Sequence, residues 1–435
     1  MASLRQYECW GRYPKAVQTA QHMEWLHQNP ALPSTGKMLP YGLGRSYGDC
    51  CLNDGNTIII TQNLNRFISF NEQTGTLRCE AGVSLGEILK VVVPKGWFLA
   101  VTPGTKFVTI GGAIANDVHG KNHHRNGTFG THVRAFELWR SSQERLICSA
   151  SQNQELFKAT IGGLGLTGLI MWAEIQLVRI PTPFLDVEYV KFKGLADFIQ
   201  LAKSSDKDFE HTVAWVDCSA QGSALGRGVF MRGNYAADTL GTETPKSKAI
   251  TVPVDAPNWL LNRTTVRMFN EVYFRKHPVF SQKKVFYDGY FYPLDAIENW
   301  NRMYGKRGFF QYQFVIPVDQ ALDATTEILQ QVSNAGSASF LSVMKIFGDK
   351  APAGMLSFPK SGITVAMDMA NQGAKTLTLL DGLDKVVLKA GGRLYPAKDS
   401  RMSAAVFKEF YPNWQEFSKF IDPAFSSSFW RRVIS

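Results

Sequence analysis

The chain has 435 residues, 45% hydrophobic and 19% charged, which is too apolar for a disordered polypeptide and longer than one hydrophobic core usually organises, so two domains are expected. Its 47 Lys and Arg against 37 Asp and Glu leave a net charge of +10, a field that favours phosphorylated ligands or an anionic membrane surface. Six scattered cysteines (Cys9, Cys50, Cys51, Cys79, Cys148, Cys218) without a CxxC pair argue against a disulfide scaffold and a structural zinc site, and read as buried free thiols.

The opening MASLRQYECWGRYPK has no apolar core and already carries Glu8 and Arg12, so no secretory signal is expected. Pro94 and Lys95 break the longest apolar run, Ile88 to Val101, short of the roughly 18 residues a bilayer span needs. The expectation is a cytoplasmic protein without a transmembrane segment.

In chain order, Ile58 to Thr61 reads as a strand, Ser84 to Val93 as an amphipathic helix, and Gly104 to Val118 as a turn entering a small-residue helix. Ser151-Gln-Asn-Gln154 has the form of a capping box, with a helix ending near Gly162. From Leu169 the alternation is that of a strand, and Pro181 and Pro183 then mark a boundary at about 181. Residues 182–392 hold the strand signals Val213 to Val216, Gln311 to Ile316 and Ile363 to Met369 and the helical stretch Ala321 to Val332, an antiparallel sheet covered by helices. Residues 236–260 read as a long mobile loop, and a final helix is expected from Ala404 to Tyr411. The fold class is α+β, with residues 1–181 as one domain, 182–392 as a second and 393–435 as a C-terminal tail.

Two glycine-rich stretches carry the chemistry. In Tyr41-Gly-Leu-Gly-Arg-Ser-Tyr-Gly-Asp49 the glycines at 42, 44 and 48 permit a tight turn that aims backbone amides at one point, a nest for a diphosphate. In Thr109-Ile-Gly-Gly-Ala-Ile-Ala-Asn116, Gly111 and Gly112 fall at a helix start, where unpaired amides would add to anion binding. Ordinary glycine turns are the plainer alternative for each. Gly163-Leu-Gly-Leu-Thr-Gly168 matches the dinucleotide fingerprint, but here a helix precedes and a strand follows, so it reads as a tight helix-to-strand turn. His119, His123, His124 and His132 lack a nearby Cys, and no metal site is expected. Strand periodicity puts Gln311 with Gln313, Lys345 with Phe347, and Thr364 with Ala366 and Asp368 on common faces, which would line a site or simply meet solvent.

The ordered set of Gly42 to Asp49, Thr102-Pro-Gly-Thr105, Gly111 to Ala115, His119-Gly-Lys-Asn-His-His124 and Gly163 to Gly168 resembles the PCMH-type FAD-binding domain of the vanillyl-alcohol-oxidase superfamily. More narrowly, it is similar to the family of oxidase components of decaprenylphosphoryl-ribose 2'-epimerases. That resemblance continues through Trp215-Val-Asp217, Tyr292-Pro-Leu-Asp295, Gln311 to Val315, Phe340 to Gly348 and Ala397-Lys-Asp-Ser-Arg401. It implies an FAD domain built from the first 181 residues and the tail, with the intervening residues roofing the flavin. It also implies that Gly42, Leu43, Gly44, Arg45, Ser46, Tyr47, Gly48, Gly104, Thr109, Ile110, Gly111, Gly112, Asn116, Asp117, Val118, His119, Ile170 and Tyr395 contact FAD. Substrate contacts fall to His119, Lys121, Phe291, Gln311, Gln313, Lys345, Phe347, Ala366, Asp368 and Lys398. Tyr47 stands where many superfamily members carry the flavin-linking His, so non-covalent FAD is implied.

Oxidising an alcohol requires hydride transfer, removal of the hydroxyl proton and a cation near the reduced flavin. Lys398, Lys121 and Asp368 are the implied catalytic groups, with the base left open between Lys398, Asp368 and a water. Ala366 replaces a cysteine of the mycobacterial members, and Phe291 a tyrosine. The implied activity is oxidation of the C2' hydroxyl of a polyprenylphosphoryl ribose to a ketone, with an NAD(P)H-dependent reductase as partner and peripheral contact with the inner membrane. Two alternatives are a soluble alditol or aldonolactone oxidase, against which Tyr47 counts, and a basic nucleotide-binding protein, for which no RNP motif, helix-turn-helix or Arg-rich arm speaks.

Overall fold

The computed structural model describes residues 7–239, 250–257, 260–337 and 339–435. Apolar alternation builds three main sheets. A small parallel sheet joins Thr19–His22, Thr57–Ile60 and Met38–Tyr41, with Thr57–Ile60 in the middle. Beside it, the long strand Leu169–Arg179 pairs antiparallel with Thr76–Glu80, Val133–Trp139 and Trp97–Leu99. Ten consecutive residues of that strand, Leu169 to Val178, are buried or half-buried, as befits a strand with neighbours on both edges.

The third sheet has eight strands, all antiparallel, in the order Phe280–Phe286, Phe184–Phe192, Gly228–Tyr235, His211–Val216, Ser342–Phe347, Gly362–Ala370, Phe309–Ile316 and Arg393–Leu394. Its two faces differ because strand side chains alternate. Phe310, Tyr312, Phe314, Ile363, Val365 and Met344 join one core with Ala321, Ile328, Leu329 and Val332 of the helix Val318–Ala335 and Leu380 and Leu383 of the helix Ala374–Lys389. The alternate residues face the other way, towards the glycine loops. The short strand Arg393–Leu394 returns the chain to those loops, where the Tyr47 amide donates to the Ala397 carbonyl at 2.9 Å.

The helix Leu85–Val92 forms with Ser84 and Glu87 in a reciprocal capping box, and Thr109 caps the helix Ile110–Ala115. The box expected at Ser151 does not form. Ser149 Oγ accepts from the amides of Ser151 and Gln152, and Asn153 Nδ2 donates to the Ile147 carbonyl, so closure of the preceding hairpin consumes this segment. The helix Gln154–Thr160 starts after Asn153 at φ +50°, without a side-chain cap. The sequence 163–168 lies between that helix and the strand Leu169–Arg179 and opens no helix.

Two further expectations are corrected. Within 236–260, residues 240–249 and 258–259 lie outside the described residues, but Ile250–Thr251 is a short strand parallel to Ile297–Glu298 rather than loop. The helix Ala404–Phe410 is not the last, since Trp414–Ser418 and Ser428–Ile434 follow. The last is tied in by Arg432, which donates to both Asp49 and Asp399. No helix among the described residues is long and apolar enough to cross a membrane.

Candidate active site

A cavity of about 1020 Å³ runs between the glycine loops and the polar face of the eight-stranded sheet. The two loops meet: a Cβ added to Gly42 would stand 2.6 Å from Thr109 Oγ1. In the first loop the amides of Leu43, Gly44, Arg45 and Ser46 meet no acceptor among the described residues, whereas that of Tyr47 is used by Ala397. Gly44 sits at φ +61°, a conformation costly for any residue with a Cβ. That cradle is open for an anion.

The second loop behaves differently from the expectation. The amide of Gly111 donates to the Ala81 carbonyl (2.9 Å), that of Ile110 to Val83 (2.8 Å) and that of Gly112 to Thr109 Oγ1 (3.1 Å), so no unpaired amides remain there for an anion. The neighbouring turns of the fold need those donors. What the two glycines provide is a bare surface along the cavity, since both line it and any Cβ would press on Ala81 or Thr109.

The sheet contributes a continuous strip. Registers pair Gln313 with Ala366, Val343 with Ala366, and Lys345 with Thr364, and Gln311, Gln313, Lys345, Thr364 and Ala366 all line the cavity. His119, at the centre, has Gln313 Nε2 at 3.0 Å from its Nε2 and Lys345 Nζ at 3.2 Å from its Nδ1. A neutral imidazole accepts at only one nitrogen, and the Gln313 amide nitrogen and the Lys345 ammonium are both donors, so one of the two contacts is a hydrogen bond and the other is a close approach. Burial, with the charge of Lys345 adding, keeps the His119 pKa well below the usual range. Lys398 lies over the Tyr47 ring at 3.8 Å. Lys121 donates to the Tyr290 carbonyl and lies 4.2 Å from that residue's ring centroid.

Three lysines therefore surround one chamber. Burial pushes Lys121 down to about 7, with Lys345 adding repulsion, and pushes Lys345 down to about 8. Burial takes Lys398 to about 7 as well, although Asp368 opposes the shift. Asp368 moves the other way, up to about 7, because burial outweighs its contact with Gln311. A cavity that gathers three buried lysines suits an anionic occupant, which would restore the charge that burial disfavours.

Of the residues expected at the site, Gly42, Leu43, Gly44, Arg45, Ser46, Tyr47, Gly104, Thr109, Gly111, Gly112, Asn116, Val118, His119, Lys121, Ile170, Phe291, Gln311, Gln313, Lys345, Ala366, Tyr395 and Lys398 line this cavity. Gly48, Ile110, Asp117, Phe347 and Asp368 do not. Gly48 packs so closely on the Asp399 carbonyl that a Cβ would stand 1.7 Å from its oxygen. Ile110 is core, and Asp117 is a bracket that accepts from the Gly130 amide and the Ser357 hydroxyl. Phe347 backs the ring of His119 at 4.8 Å. Asp368 stands one layer behind the wall, accepting from Gln311 Nε2 at 2.6 Å. Pattern reading missed Tyr273, Lys276, His277 and Lys283, which also line the cavity. A lysine on an edge strand or at a helix end carries no motif, and only the folded arrangement gathers these four.

The buried Nε of Arg45 and Oδ1 of Asn116, both on the cavity wall, have no partner among the described residues. Together with the free amides of residues 43–46, they suit a long ligand that carries both anionic and hydrogen-bonding groups, as FAD does. A family model described as an FAD binding domain matches residues 32–149, the stretch that supplies both glycine loops. Fold and site thus define an FAD-dependent oxidoreductase of the PCMH type, α+β in class.

Over 409 residues, 90% of this chain and 88% of the other, it is 37% identical to decaprenylphosphoryl-β-D-ribose oxidase of Mycolicibacterium smegmatis. It belongs to that oxidase family. An uncharacterised protein of Streptomyces coelicolor is 30% identical over 373 residues, 81% of this chain and all of the other. L-gulonolactone oxidase of Scyliorhinus torazame is 28% identical over 137 residues, 32% of this chain and 31% of its own length.

Proposed function

We propose that this enzyme oxidises the C2' hydroxyl of a polyprenylphosphoryl-β-D-ribose to the 2'-ketone, using FAD held without a covalent bond. Residues 1–181 with 393–435 form the cofactor half and residues 182–392 the substrate half. The observation that carries this reading is the single cavity shared by the free-amide loop of Leu43 to Ser46, Lys398 over Tyr47, and the strip of Gln311, Gln313, Lys345 and Thr364. The likeness to a decaprenylphosphoryl-β-D-ribose oxidase supports the choice of sugar.

Leu43 to Ser46 would hold the diphosphate of FAD, with Asn116 and Tyr395 beside the rest of the cofactor. Bound FAD supplies hydride acceptance. The chain's own groups do the rest: Gln313 and His119 orient the sugar, and Lys345 and Lys121 face its charge. The hydroxyl proton passes to Lys398, whose depressed pKa makes the free amine accessible near neutrality, and Asp368 behind Gln311 tunes that lysine electrostatically. A tyrosine at position 47 offers no imidazole to attach the flavin, so the cofactor should leave with acid.

The product is a ketone that needs reduction from the opposite face to complete an epimerisation, which calls for an NAD(P)H-dependent reductase as partner. The basic charge suits work in the cytoplasm at the inner membrane surface. Purified protein should be yellow, release its flavin on acid precipitation, and bleach anaerobically with polyprenylphosphoryl ribose. Bleaching by a simple alditol but not by the lipid-linked sugar would overturn the assignment in favour of a soluble polyol or lactone oxidase.

A further inference from the structure

The helix Arg263–Lys276 is amphipathic in the opposite sense to an ordinary surface helix, which buries its apolar stripe. Polar groups anchor it. Asn270 Nδ2 donates to Asp217 Oδ1 at 2.9 Å and to the Ser339 carbonyl at 3.1 Å, and Glu271 pairs with Arg227. Its inward apolar contacts are Val266, which is buried, the Tyr273 ring on Trp215 at 4.6 Å, and one edge of Phe269 on the Phe340 ring at 5.6 Å. Outward, one turn apart, Met268 and Val272 are each 64% exposed, and Phe269 beside them is 48% exposed. Past the helix, Phe280 leads the sheet's edge strand at 53% exposure.

The fringe of this apolar face is cationic. Arg263, Arg267, Arg275 and Lys276 are exposed along the helix, while its acid, Glu271, is already neutralised by Arg227 and Arg275. The same face adjoins one end of the active-site cavity, where the lining residues Lys276 and Lys283 are exposed. Tyr273, Lys276 and His277 from the end of the helix, with Ser281 and Lys283 from the edge strand, form that end of the cavity wall.

We propose that this face docks the enzyme on an anionic lipid bilayer, with Met268, Phe269 and Val272 entering the headgroup layer and the arginines meeting lipid phosphates. Exposed apolar side chains ringed by cations match a bilayer interface, whereas a protein partner for this fringe would have to be acidic around an apolar centre. The inference rests on the reading of a lipid-linked substrate: docking there turns that exposed end of the cavity towards the leaflet in which such a substrate resides. An apolar tail would then need no transfer through water.

The experiment is co-sedimentation of the FAD-loaded, full-length enzyme with vesicles that contain no substrate. One set is phosphatidylcholine alone and the other is phosphatidylcholine mixed with phosphatidylglycerol. Binding should be strong only to the mixed vesicles and should fall with salt. Met268→Ser and Val272→Ser should each weaken partitioning by about tenfold, and Arg267→Gln by about fivefold, with flavin content unchanged. Equal binding by wild type and Met268→Ser/Val272→Ser, or no binding by wild type, overturns the proposal. So does a dimer in solution that the double variant converts to monomer, because a second copy would then cover the face. Because no turnover is measured, failure here is separable from failure of the substrate assignment, which the bleaching assay reports.

Discussion

Removing the ammonium group of Lys345 should make the flavin-stripped protein more stable at neutral pH, not less. Burial lowers this lysine from 10.5 to about 8. Between those values the unfolded chain binds more protons than the folded one. The cost of folding around the charge is therefore fully present below about pH 8, shrinks as pH rises, and is gone above the unfolded pKa. A shift of that size corresponds to about 3 kcal/mol. The side chain keeps part of its surface towards the cavity, where water screens it, and Lys345→Met also forfeits the 3.2 Å contact with His119, worth about 1 kcal/mol. The expected net gain at pH 7 is about 1 to 2 kcal/mol, disappearing near pH 10. Urea unfolding of wild type and variant at both pH values measures it. A variant that is less stable at pH 7, or whose gain is the same at pH 10, would refute the claim that this lysine is held at a cost for an anionic ligand.

Lys398→Met should slow anaerobic flavin reduction by roughly 10²- to 10³-fold. In wild type the rate should rise as pH climbs through about 7, where Lys398 loses its proton, and stopped-flow bleaching against pH should show that step vanish in the variant. Gly44→Ala places a Cβ 2.1 Å from Tyr41 Oη and 2.7 Å from the Glu8 carbonyl at φ +61°. Purified variant should show a lower ratio of flavin to protein absorbance than wild type. Ala366 lines the cavity, as the free thiols of Cys50 and Cys51 also do, so Ala366→Cys should gain one adduct more than wild type by intact-mass measurement after treatment with a thiol-trapping electrophile.

The sequence revealed the strip on the eight-stranded sheet because a period of two is a local signal: Gln311 and Gln313, or Thr364 and Ala366, need no knowledge of the fold to share a face. It could not reveal depth. Asp368 continues the alternation of Thr364 and Ala366, yet it falls behind the wall, where Gln311 shields it from the cavity. Phe347 stands to Lys345 in the same relation, and the ring of His119 covers it. The second glycine loop failed for a related reason. Gly111 and Gly112 look like free donors in a linear reading, but Ala81, some thirty residues earlier, claims the Gly111 amide. Hydrogen-bond bookkeeping closes only in three dimensions.

Labour within the cavity is divided between backbone and side chains. With the second loop's amides spent, Leu43 to Ser46 are the part of the two glycine loops left to bind an anion through backbone amides, and side chains add positive character: Lys121, Lys345 and Lys398, each displaced from its ordinary pKa by burial. Fixed amides serve an occupant that stays. Titratable lysines serve one that arrives charged, changes and leaves, because their protonation adjusts to each state. Asp368, buried within electrostatic reach of Lys398 but off the cavity wall, is placed to bias that adjustment without competing for the ligand. Asp368→Asn should therefore shift the pH step of flavin reduction to lower pH, since it removes the charge that raises the Lys398 pKa, while leaving flavin content intact. An unshifted step would mean that Asp368 is only a structural partner of Gln311.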